Sequence, residues 1–314
     1  MKIIKIKKSK YINILEDWLQ FKKNDIKEQS YIKYQFLIEK YLHFELGNID
    51  ISSINSNTIN EYFNQENISL LSLSTKKSLL YIIKSTLDYS LNQKIIKKPI
   101  DIDISFKKPK SKIVYFTKEE QAMLEEYLLR NNSLINIGIL ICLYTGIRLG
   151  EICGLKWTDI DFVNKSISIN RTVLRIKNTD NNSNNKTKKI ISSPKSESSL
   201  RTIPIPDFII EQLLNHMLSE DAYVLTNTSE FKDTRVYEKN FENILKKIGI
   251  RILNFHALRH TFATRSIESG MDIKTLSEIL GHSSYHTTLE TYIHSSFNHK
   301  RDSINNLVKF LKLS

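Results

Sequence analysis

The sequence predicts a mainly α-helical protein with a small antiparallel β-sheet, built as an N-terminal α-helical bundle followed by a mixed α+β domain. Three observations lead to this prediction. The 314-residue chain holds only 8 glycines and 5 prolines, and this scarcity favours long helices over a turn-rich β architecture. Apolar residues recur three and four positions apart through most of the chain, which is the spacing of amphipathic helices. Between residues 165 and 203 this spacing gives way to the alternation that is typical of strands.

The first predicted domain, residues 1–95, is a bundle of four helices. Apolar residues with helical spacing cover residues 9–24 and 30–46. A shorter helix is expected near Thr58, and a long one from Ser74 to Asn92. Because the apolar residues of each helix form one stripe, the four stripes can share a single core.

The helical spacing stops in a basic segment that we assign as an interdomain linker, residues 96–114. The stretch from 94 to 112 holds seven lysines and two prolines. A segment of this composition is either a solvated tether or a length of chain that follows a phosphate backbone, and both interpretations stay open. In the second case the contacts to the polyanion would come from Lys107, Lys108, Lys110 and Lys112.

The second predicted domain, residues 115–314, begins with the capping box Thr117-Lys118-Glu119-Glu120 ahead of an apolar run. The next helix, from Leu134 to Tyr144, is apolar on nearly all sides, so we expect it at the centre of the domain. An Asn-rich tract around residues 179–186 is expected at the tip of a hairpin. Predicted strands cover residues 166–170, 172–176, 190–191 and 200–205, and predicted helices cover 207–218, 235–248, 257–268, 273–280 and about 300–312.

The chain carries a strong excess of positive charge. It has 46 Lys and Arg residues against 34 Asp and Glu residues, a formal net charge of +12 and a pI near 9.4. This balance favours a polyanionic partner, nucleic acid above all. No run approaches the roughly 18 apolar residues that a membrane span needs, and no signal peptide is expected. The only two cysteines, Cys142 and Cys153, lie in apolar surroundings, which indicates a reducing, cytoplasmic compartment without a disulfide framework.

Four short segments of the second domain concentrate ionisable and nucleophilic side chains. They are Thr145-Gly146-Ile147-Arg148-Leu149-Gly150-Glu151, His256-Ala257-Leu258-Arg259-His260, Leu280-Gly281-His282 and the stretch around Tyr292. Arg148 directly follows an apolar helix and could simply form a buried ion pair with Glu151. His256 and Arg259 are three apart and share a helix face, so that an imidazole and a guanidinium can converge on one oxyanion.

A metal site is disfavoured by the same residues. His256 and His260 have the four-residue spacing of a zinc-binding helix. However, the glutamate that would act as a base is absent, and the cation Arg259 lies between the two histidines. We therefore expect no metal ion and no cofactor.

Considered together, the four segments resemble the tyrosine recombinase family, also called the phage-integrase family. The family pattern is Arg, Lys, His-x-x-Arg, His/Trp and Tyr in that chain order, and the resemblance covers residues from about 115 to 300. It assigns the catalytic roles to Arg148, Lys195, His256, Arg259, His282 and Tyr292. The lysine is expected in a turn between strands, which fits Pro194-Lys195-Ser196, although Lys188 and Lys189 lie close enough to remain alternatives.

The resemblance implies a site-specific recombinase that cuts and rejoins DNA through a covalent 3′-phosphotyrosine, for integration, excision, inversion or resolution. Tyr292 would be the nucleophile, and Arg148 and Arg259 would stabilise the charged transition state. Lys195 would protonate the leaving 5′-oxygen, and His256 would assist proton transfer from or near Tyr292. His282 would donate a hydrogen bond to the phosphate and help to hold Tyr292. The alternatives are a DNA-relaxing enzyme similar to type IB topoisomerases and a catalytically silent DNA-binding regulator of the same fold.

The resemblance also implies different roles for the two domains, as well as DNA and other copies of the chain as partners. Residues 1–95 would form a helical core-binding (SAM-like) DNA-binding domain, and residues 115–314 a catalytic domain with a C-terminal tail helix. A double-stranded recombination site would be bound by a homotetramer on synapsed DNA, which is a monomer or weak oligomer when free. The tail helix carries an apolar stripe that would dock on its own domain or on a neighbouring protomer: Ile304, Leu307, Val308 and Leu311.

Overall fold

The chain folds into two compact units, Met1–Ser111 and Lys112–Ser314. The computed structural model describes residues 10–106, 113–178, 185–193, 199–282 and 284–292 and positions 301, 304–305, 307–309 and 311, with only the backbone of residues 287 and 290–292. Each unit has a hydrophobic core of its own. The predicted fold class, mainly α with small antiparallel sheets, is confirmed.

The first unit is entirely helical in its described regular elements. Its helices are α1 (Tyr11–Lys22), α2 (Glu28–Leu37), α3 (Ser56–Asn64), α4 (Glu66–Ser69) and α5 (Leu73–Asn92). The helix predicted over residues 30–46 ends earlier as an α-helix, because a wider π-helical turn, Ile38–Leu42, follows α2. Leu42, the last residue of this turn, and Leu46 beyond it are both buried in the core of the first unit.

Part of the predicted linker packs on the first unit. Residues 99–106 form neither helix nor strand, as the sequence predicts. Nevertheless Ile102 is buried, and Ile100 and Phe106 pack against the core of the first unit. The four lysines proposed to follow a phosphate backbone lie in residues 107–112, outside the described residues.

The second unit surrounds one buried helix with other helices and two small sheets. Its helices are α6 (Lys118–Arg130), α7 (Leu134–Thr145), α8 (Leu149–Cys153), α9 (Asp207–Leu214), α10 (Thr234–Ile248), α11 (His256–Glu268), α12 (Ile273–Leu280) and α13 (Tyr285–Tyr292). The predicted capping box is present, since the backbone N–H of Glu120 donates to Oγ1 of Thr117 over 3.2 Å and the backbone N–H of Thr117 donates to Oε2 of Glu120 over 2.8 Å. α7 is buried along nearly its whole length, as its apolar sequence predicts.

The described strands form two antiparallel sheets, whereas the sequence predicted one. They are β1 (Ile160–Asp161), β2 (Ser166–Ile169), β3 (Thr172–Lys177), β4 (Thr187–Ser192) and β5 (Arg201–Pro204). One sheet has the order β1-β2-β5, and the other is the hairpin β3-β4. β2 pairs with β5 across this hairpin, with Ile167 opposite Ile203. The hairpin is therefore an excursion from the three-stranded sheet. Within the described residues, no helix is both long and apolar enough to span a membrane.

Candidate active site

The first arginine motif lies at the junction between the buried helix α7 and the short helix α8. α7 is capped by Gly146, whose φ of +64° lies in the left-handed region. A Cβ at this position would lie 2.6 Å from Cδ1 of Phe262 and 2.8 Å from Cδ2 of Leu280. Only glycine therefore fits both the dihedral angle and the space, and the tight turn places Arg148 directly before α8.

Arg259, in the first turn of α11, is buried with 2% of its surface exposed. Its Nη1 donates to the carbonyl oxygen of Gly146 over 2.8 Å, and its Nη2 donates to the carbonyl oxygen of Leu280 over 2.7 Å. Nη2 also lies 2.7 Å from Nε2 of His282. A buried guanidinium is costly unless it is hydrogen-bonded. These three partners are neutral acceptors, and they fix the orientation of the guanidinium.

The last carbonyl groups of α12 each accept a hydrogen bond from a different arginine. Nitrogen atoms of Arg201, Arg259 and Arg148 donate to the carbonyl oxygens of Ile279, Leu280 and Gly281 over 2.6, 2.7 and 3.2 Å, respectively. Carbonyl groups at a helix C-terminus lack partners within the helix and carry partial negative charge. The end of α12 therefore gathers three guanidinium groups in one place.

Glu151 joins two of these arginines. Its carboxylate accepts hydrogen bonds from Nη1 of Arg148 over 2.7 Å and from Nη2 of Arg201 over 2.9 Å. Burial alone would raise the pKa of Glu151, but its hydrogen bonds and charge interactions with Arg201 and Arg148 outweigh burial and lower the pKa. The ion pair expected between Arg148 and Glu151 is thus present, as part of a larger cluster in which the positive charges outnumber the carboxylate.

Arg201 is a member of this cluster that the sequence interpretation did not assign to the site. Its side chain is only 6% exposed, and it also donates from Nη1 to Oε1 of Glu151 over 3.2 Å. One signal for this burial was present in the sequence. Alternate residues of a strand point to the same face of the sheet. Arg201 alternates with Ile203 and Ile205, which are both buried, so its side chain is expected on the buried face.

His282 follows the left-handed cap of α12 and is hydrogen-bonded through both ring nitrogens. Nε2 faces Arg259, and Nδ1 lies 2.8 Å from Oγ1 of Thr288, a fully buried residue of α13. Partial burial lowers the pKa of His282 to about 4, and the positive charges of Arg259 and Arg148 act in the same direction. His282 is therefore a neutral imidazole at pH 7.

His256 and His260 lie one turn apart at the beginning of α11. Their ring centroids are 4.6 Å apart, and the two rings are perpendicular. Desolvation, the neighbouring His260 and the charges of Arg259 and Arg148 lower the pKa of His256. Desolvation and Arg259 lower the pKa of His260. Within the described part of the chain, no three His, Cys, Asp or Glu side chains are grouped so that they could hold a metal ion.

The side chains of two predicted catalytic residues lie outside the part of the chain that the structure describes. Lys195 lies outside the described residues, between β4 and β5 in the chain. Tyr292 is the last residue of α13, a helix that packs against α11 and α12, and only its backbone is described. Of the two alternative lysines, Lys189 lies on β4 with its Nζ 3.8 Å from Oδ2 of Asp233. The carboxylate of Asp233 is shared with Arg175, so Lys189 belongs to a separate ion-pair cluster on the β3-β4 hairpin.

Comparison with known sequences identifies relatives over almost the whole chain. Residues 129–299 match the sequence model of the phage integrase family. A tyrosine recombinase XerC-like protein from Caldanaerobacter subterraneus subsp. tengcongensis is 30% identical over 321 residues, which cover 94% of this chain and 82% of the relative. The ICEBs1 integrase from Bacillus subtilis is 21% identical over 301 residues, covering 90% of this chain and 78% of the relative.

Solved integrases share the fold. The integrase of transposon Tn1549, in complex with transposon right end DNA, has a TM-score of 0.76 at 23% identity and covers 95% of this chain and 99% of that chain. A lambda integrase tetramer bound to a Holliday junction has a TM-score of 0.62 at 16% identity, with 91% and 78% coverage. The family model spans all the described side chains of the arginine cluster, from Arg148 to His282. The chain belongs to the phage integrase family of tyrosine recombinases.

Proposed function

We propose that this protein is a site-specific tyrosine recombinase, which cleaves and rejoins DNA through a covalent 3′-phosphotyrosine at Tyr292. One observation carries the proposal. Arg148, Arg259 and His282 meet at the C-terminal end of α12, and the helix that ends at Tyr292 packs against α12. A phosphodiester is anionic, and its charge increases in the transition state of attack. Fixed guanidinium groups are suited to stabilise that charge because each presents a planar pair of N–H donors.

The two family arginines would contact the phosphate in different ways. Arg148 is the more open one, because 36% of its side chain is exposed. Arg259 is almost fully buried, and its Nη2 is engaged by His282. We expect a phosphate oxygen to bind Arg148 directly and to reach Nη2 of Arg259 by replacing His282 as its partner.

Cleavage would proceed by an in-line exchange of ester bonds. Oη of Tyr292 attacks the phosphorus, the bond to the 5′-oxygen breaks, and the phosphotyrosine conserves the bond energy. The tyrosine proton passes to His256, whose lowered pKa keeps its ring neutral and able to accept a proton at pH 7. Lys195 supplies the proton that the departing 5′-oxygen takes up. Attack by the 5′-hydroxyl of a partner strand reverses these steps and reseals the DNA.

The same proposal assigns roles in DNA binding and in assembly to parts of the chain outside the active site. The first unit would act as the core-binding domain, and the linker lysines at positions 107, 108, 110 and 112 would contact the phosphate backbone. The apolar side chains on the tail helix are between 40% and 63% exposed: Ile304, Leu307, Val308 and Leu311. This exposure favours donation of the tail to a neighbouring protomer over docking on its own domain, and such a contact can close into a tetramer around synapsed DNA.

Trapping of a covalent adduct tests the nucleophile. The full-length protein is incubated with nicked suicide duplexes that tile the DNA flanking its own gene, because a nick lets the cleaved fragment diffuse away. The expected result is an SDS-resistant protein–DNA adduct that is lost in Tyr292→Phe. Tyr285→Phe is a matched control, since Tyr285 is an exposed tyrosine on the same helix, and it should keep the adduct. An adduct that persists in Tyr292→Phe would refute the assignment of the nucleophile.

The same assay separates the alternatives. A recombinase exchanges strands between two duplexes that carry the site, whereas a topoisomerase-like enzyme forms the adduct without exchange. A catalytically silent regulator binds DNA and forms no adduct. Binding itself should weaken steeply with salt, because each phosphate contact releases counterions. Affinity that does not change with salt would contradict binding through the basic surface.

A further inference from the structure

The hydrogen bond between His282 and Thr288 links the phosphate-binding side chains to the nucleophile helix. Nδ1 of His282 lies 2.8 Å from Oγ1 of Thr288. Thr288 belongs to α13 and is fully buried, so water does not replace its hydroxyl group there. Tyr292 follows Thr288 by four residues on the same helix, about one helical turn. The bond therefore connects the Arg259–His282 pair to the turn of helix that leads to Tyr292.

The partners of His282 define its tautomer in the free protein. A guanidinium group has donors only, so Nε2 of His282 must accept the hydrogen bond from Nη2 of Arg259. A neutral imidazole that accepts through Nε2 carries its proton on Nδ1. That proton is donated to Oγ1 of Thr288. The free protein thus holds His282 in the Nδ1–H form, which cannot donate from Nε2 to a phosphate.

We propose that Thr288 is a positioning residue that allows His282 to change tautomer when DNA binds; this rests on the function proposed above. A phosphate oxygen takes the Nη2–H of Arg259, and Nε2 of His282 then faces an anion, where it must donate. The ring proton leaves Nδ1 and a proton is taken up at Nε2 by exchange with solvent, so that the total charge does not change. Nε2–H donates to the phosphate, and the hydroxyl of Thr288 turns to donate to Nδ1.

A threonine hydroxyl is suited to this exchange because it both donates and accepts. A carboxylate at the same place would hold Nδ1 in its protonated form, as in triads where an acid fixes the tautomer of a histidine. An apolar side chain would leave this ring nitrogen without its partner, which is unfavourable in a partly buried place. Thr288 supports both forms of His282, and in both forms it ties α13 to the bound phosphate.

Two substitutions of the full-length protein test the role of the hydroxyl group. Thr288→Val keeps the shape of the side chain and removes the hydroxyl, and Thr288→Ser keeps the hydroxyl. We expect Thr288→Val to slow adduct formation on the nicked duplex by at least about tenfold, with little change in DNA affinity at equilibrium. Thr288→Ser should restore most of the rate. A purely structural role would instead lower affinity and thermal stability together with the rate.

Nitrogen-15 NMR of histidine-labelled protein measures the tautomer directly. The expected result is the Nδ1–H form of His282 in the free protein and the Nε2–H form in the complex of Tyr292→Phe with DNA. The proposal is overturned if Thr288→Val keeps the wild-type rate, if Thr288→Ser is as slow as Thr288→Val, or if the free protein already holds the Nε2–H form. Should wild-type protein form no adduct, the function proposed above fails, while the NMR result still decides the tautomer. If Thr288→Val does not fold, the proposal is tested by the rate of Thr288→Ser, which should stay close to that of the wild type, and by the tautomer that NMR finds for His282.

Discussion

The cores of the two units differ in the polar side chains that they bury. In the described part of the first unit, the polar groups of buried side chains are neutral and include the hydroxyl groups of Tyr11, Tyr62, Thr86 and Ser90 and the indole N–H of Trp18. The second unit also buries charged groups, namely Glu151, Asp159 and Arg259. Burial of a charge is unfavourable unless it is paired and hydrogen-bonded. Two of these buried charged residues, Glu151 and Arg259, belong to the candidate site, whereas no charged side chain is buried in the described part of the first unit.

The largest expected effect is on catalysis by the second unit. Arg259→Lys keeps the positive charge but loses the fork that spans Gly146, Leu280 and His282. We expect adduct formation to fall by roughly 100- to 1000-fold, the loss that follows removal of one preorganised donor in other enzymes. The rate is measured on nicked duplexes at saturating protein.

Arg265→Lys is the matched control for this substitution. Arg265 lies on the same helix and is hydrogen-bonded to Gln121 and Phe116, outside the cluster at the end of α12. Arg265→Lys should therefore keep most of the wild-type rate of adduct formation. Equal losses in the two variants would mean that α11 is sensitive to any arginine substitution and that the fork of Arg259 has no special role.

The next largest effect concerns the stability of the charged cluster. Arg201→Met leaves the buried carboxylate of Glu151 with one arginine fewer, and we expect it to lower the free energy of unfolding by about 3 kcal/mol. Glu151→Gln in the same chain removes the charge of this carboxylate and should recover more than half of that loss. The measurement is urea unfolding followed by fluorescence of Trp157 in a Trp18→Phe background, because each unit contains one of the two tryptophans.

Additive effects of the two substitutions would contradict the cluster. If Arg201→Met and Glu151→Gln destabilise independently, the carboxylate does not depend on Arg201 for its charge balance. Additive effects would also weaken the comparison between the two units, because Arg201 and Glu151 would then contribute to stability independently and not as one charged cluster.

A smaller effect is expected in the first unit, where Tyr11 and Thr86 share a buried hydrogen bond between their hydroxyl groups. Tyr11→Phe or Thr86→Val alone leaves one hydroxyl without this partner and should cost about 1–2 kcal/mol. The double variant should be close to the wild type, because both polar groups are then gone. Unfolding is followed by Trp18 in a Trp157→Phe background, and adduct formation under folding conditions should not change. A strong loss of cleavage in the folded double variant would contradict a packing role.

The stability of the second unit should also depend on pH. The pKa of His282 is lowered from 6.5 to about 4 in the folded protein by burial and by Arg259, Arg148, Arg201 and His256. Between about pH 6.5 and about pH 4 the unfolded chain therefore binds more protons, and stability should fall as pH falls through this range. The urea midpoint of Trp157 fluorescence at several pH values measures it. His282→Gln should flatten part of the profile, and an unchanged slope would contradict the assignment.

The sequence predicted those features that local residue types determine. Thr117 and Glu120 give a capping box wherever a helix follows, and Gly146 marks the sharp turn that places Arg148. Four family residues have described side chains, and three of them, Arg148, Arg259 and His282, meet at the end of α12. The catalytic roles of all six residues remain predictions; Lys195 lies outside the described residues, and only the backbone of Tyr292 is described.

Features that depend on contacts between distant parts of the chain could not be predicted from local residue types. The pairing of β2 with β5 spans the whole β3-β4 hairpin, and alternation within a strand does not specify its partner. The hydrogen-bond acceptors of the three arginines are mostly backbone carbonyl groups, which every residue type has. Arg201 was missed for a related reason, since an arginine in a short strand is more often exposed than buried.

The carbonyl groups at the end of α12 have a consequence for how this site tolerates change. A backbone oxygen is present whatever the side chain, so Ile279 and Leu280 can vary in sequence without loss of the acceptors for Arg201 and Arg259. Helix length is a different matter. One residue inserted into α12 would turn the terminal carbonyl groups by about 100° and move them by about 1.5 Å. The place where the arginines meet is therefore specified by the number of residues in α12 and by the left-handed stop at Gly281, and only weakly by the identity of the residues between.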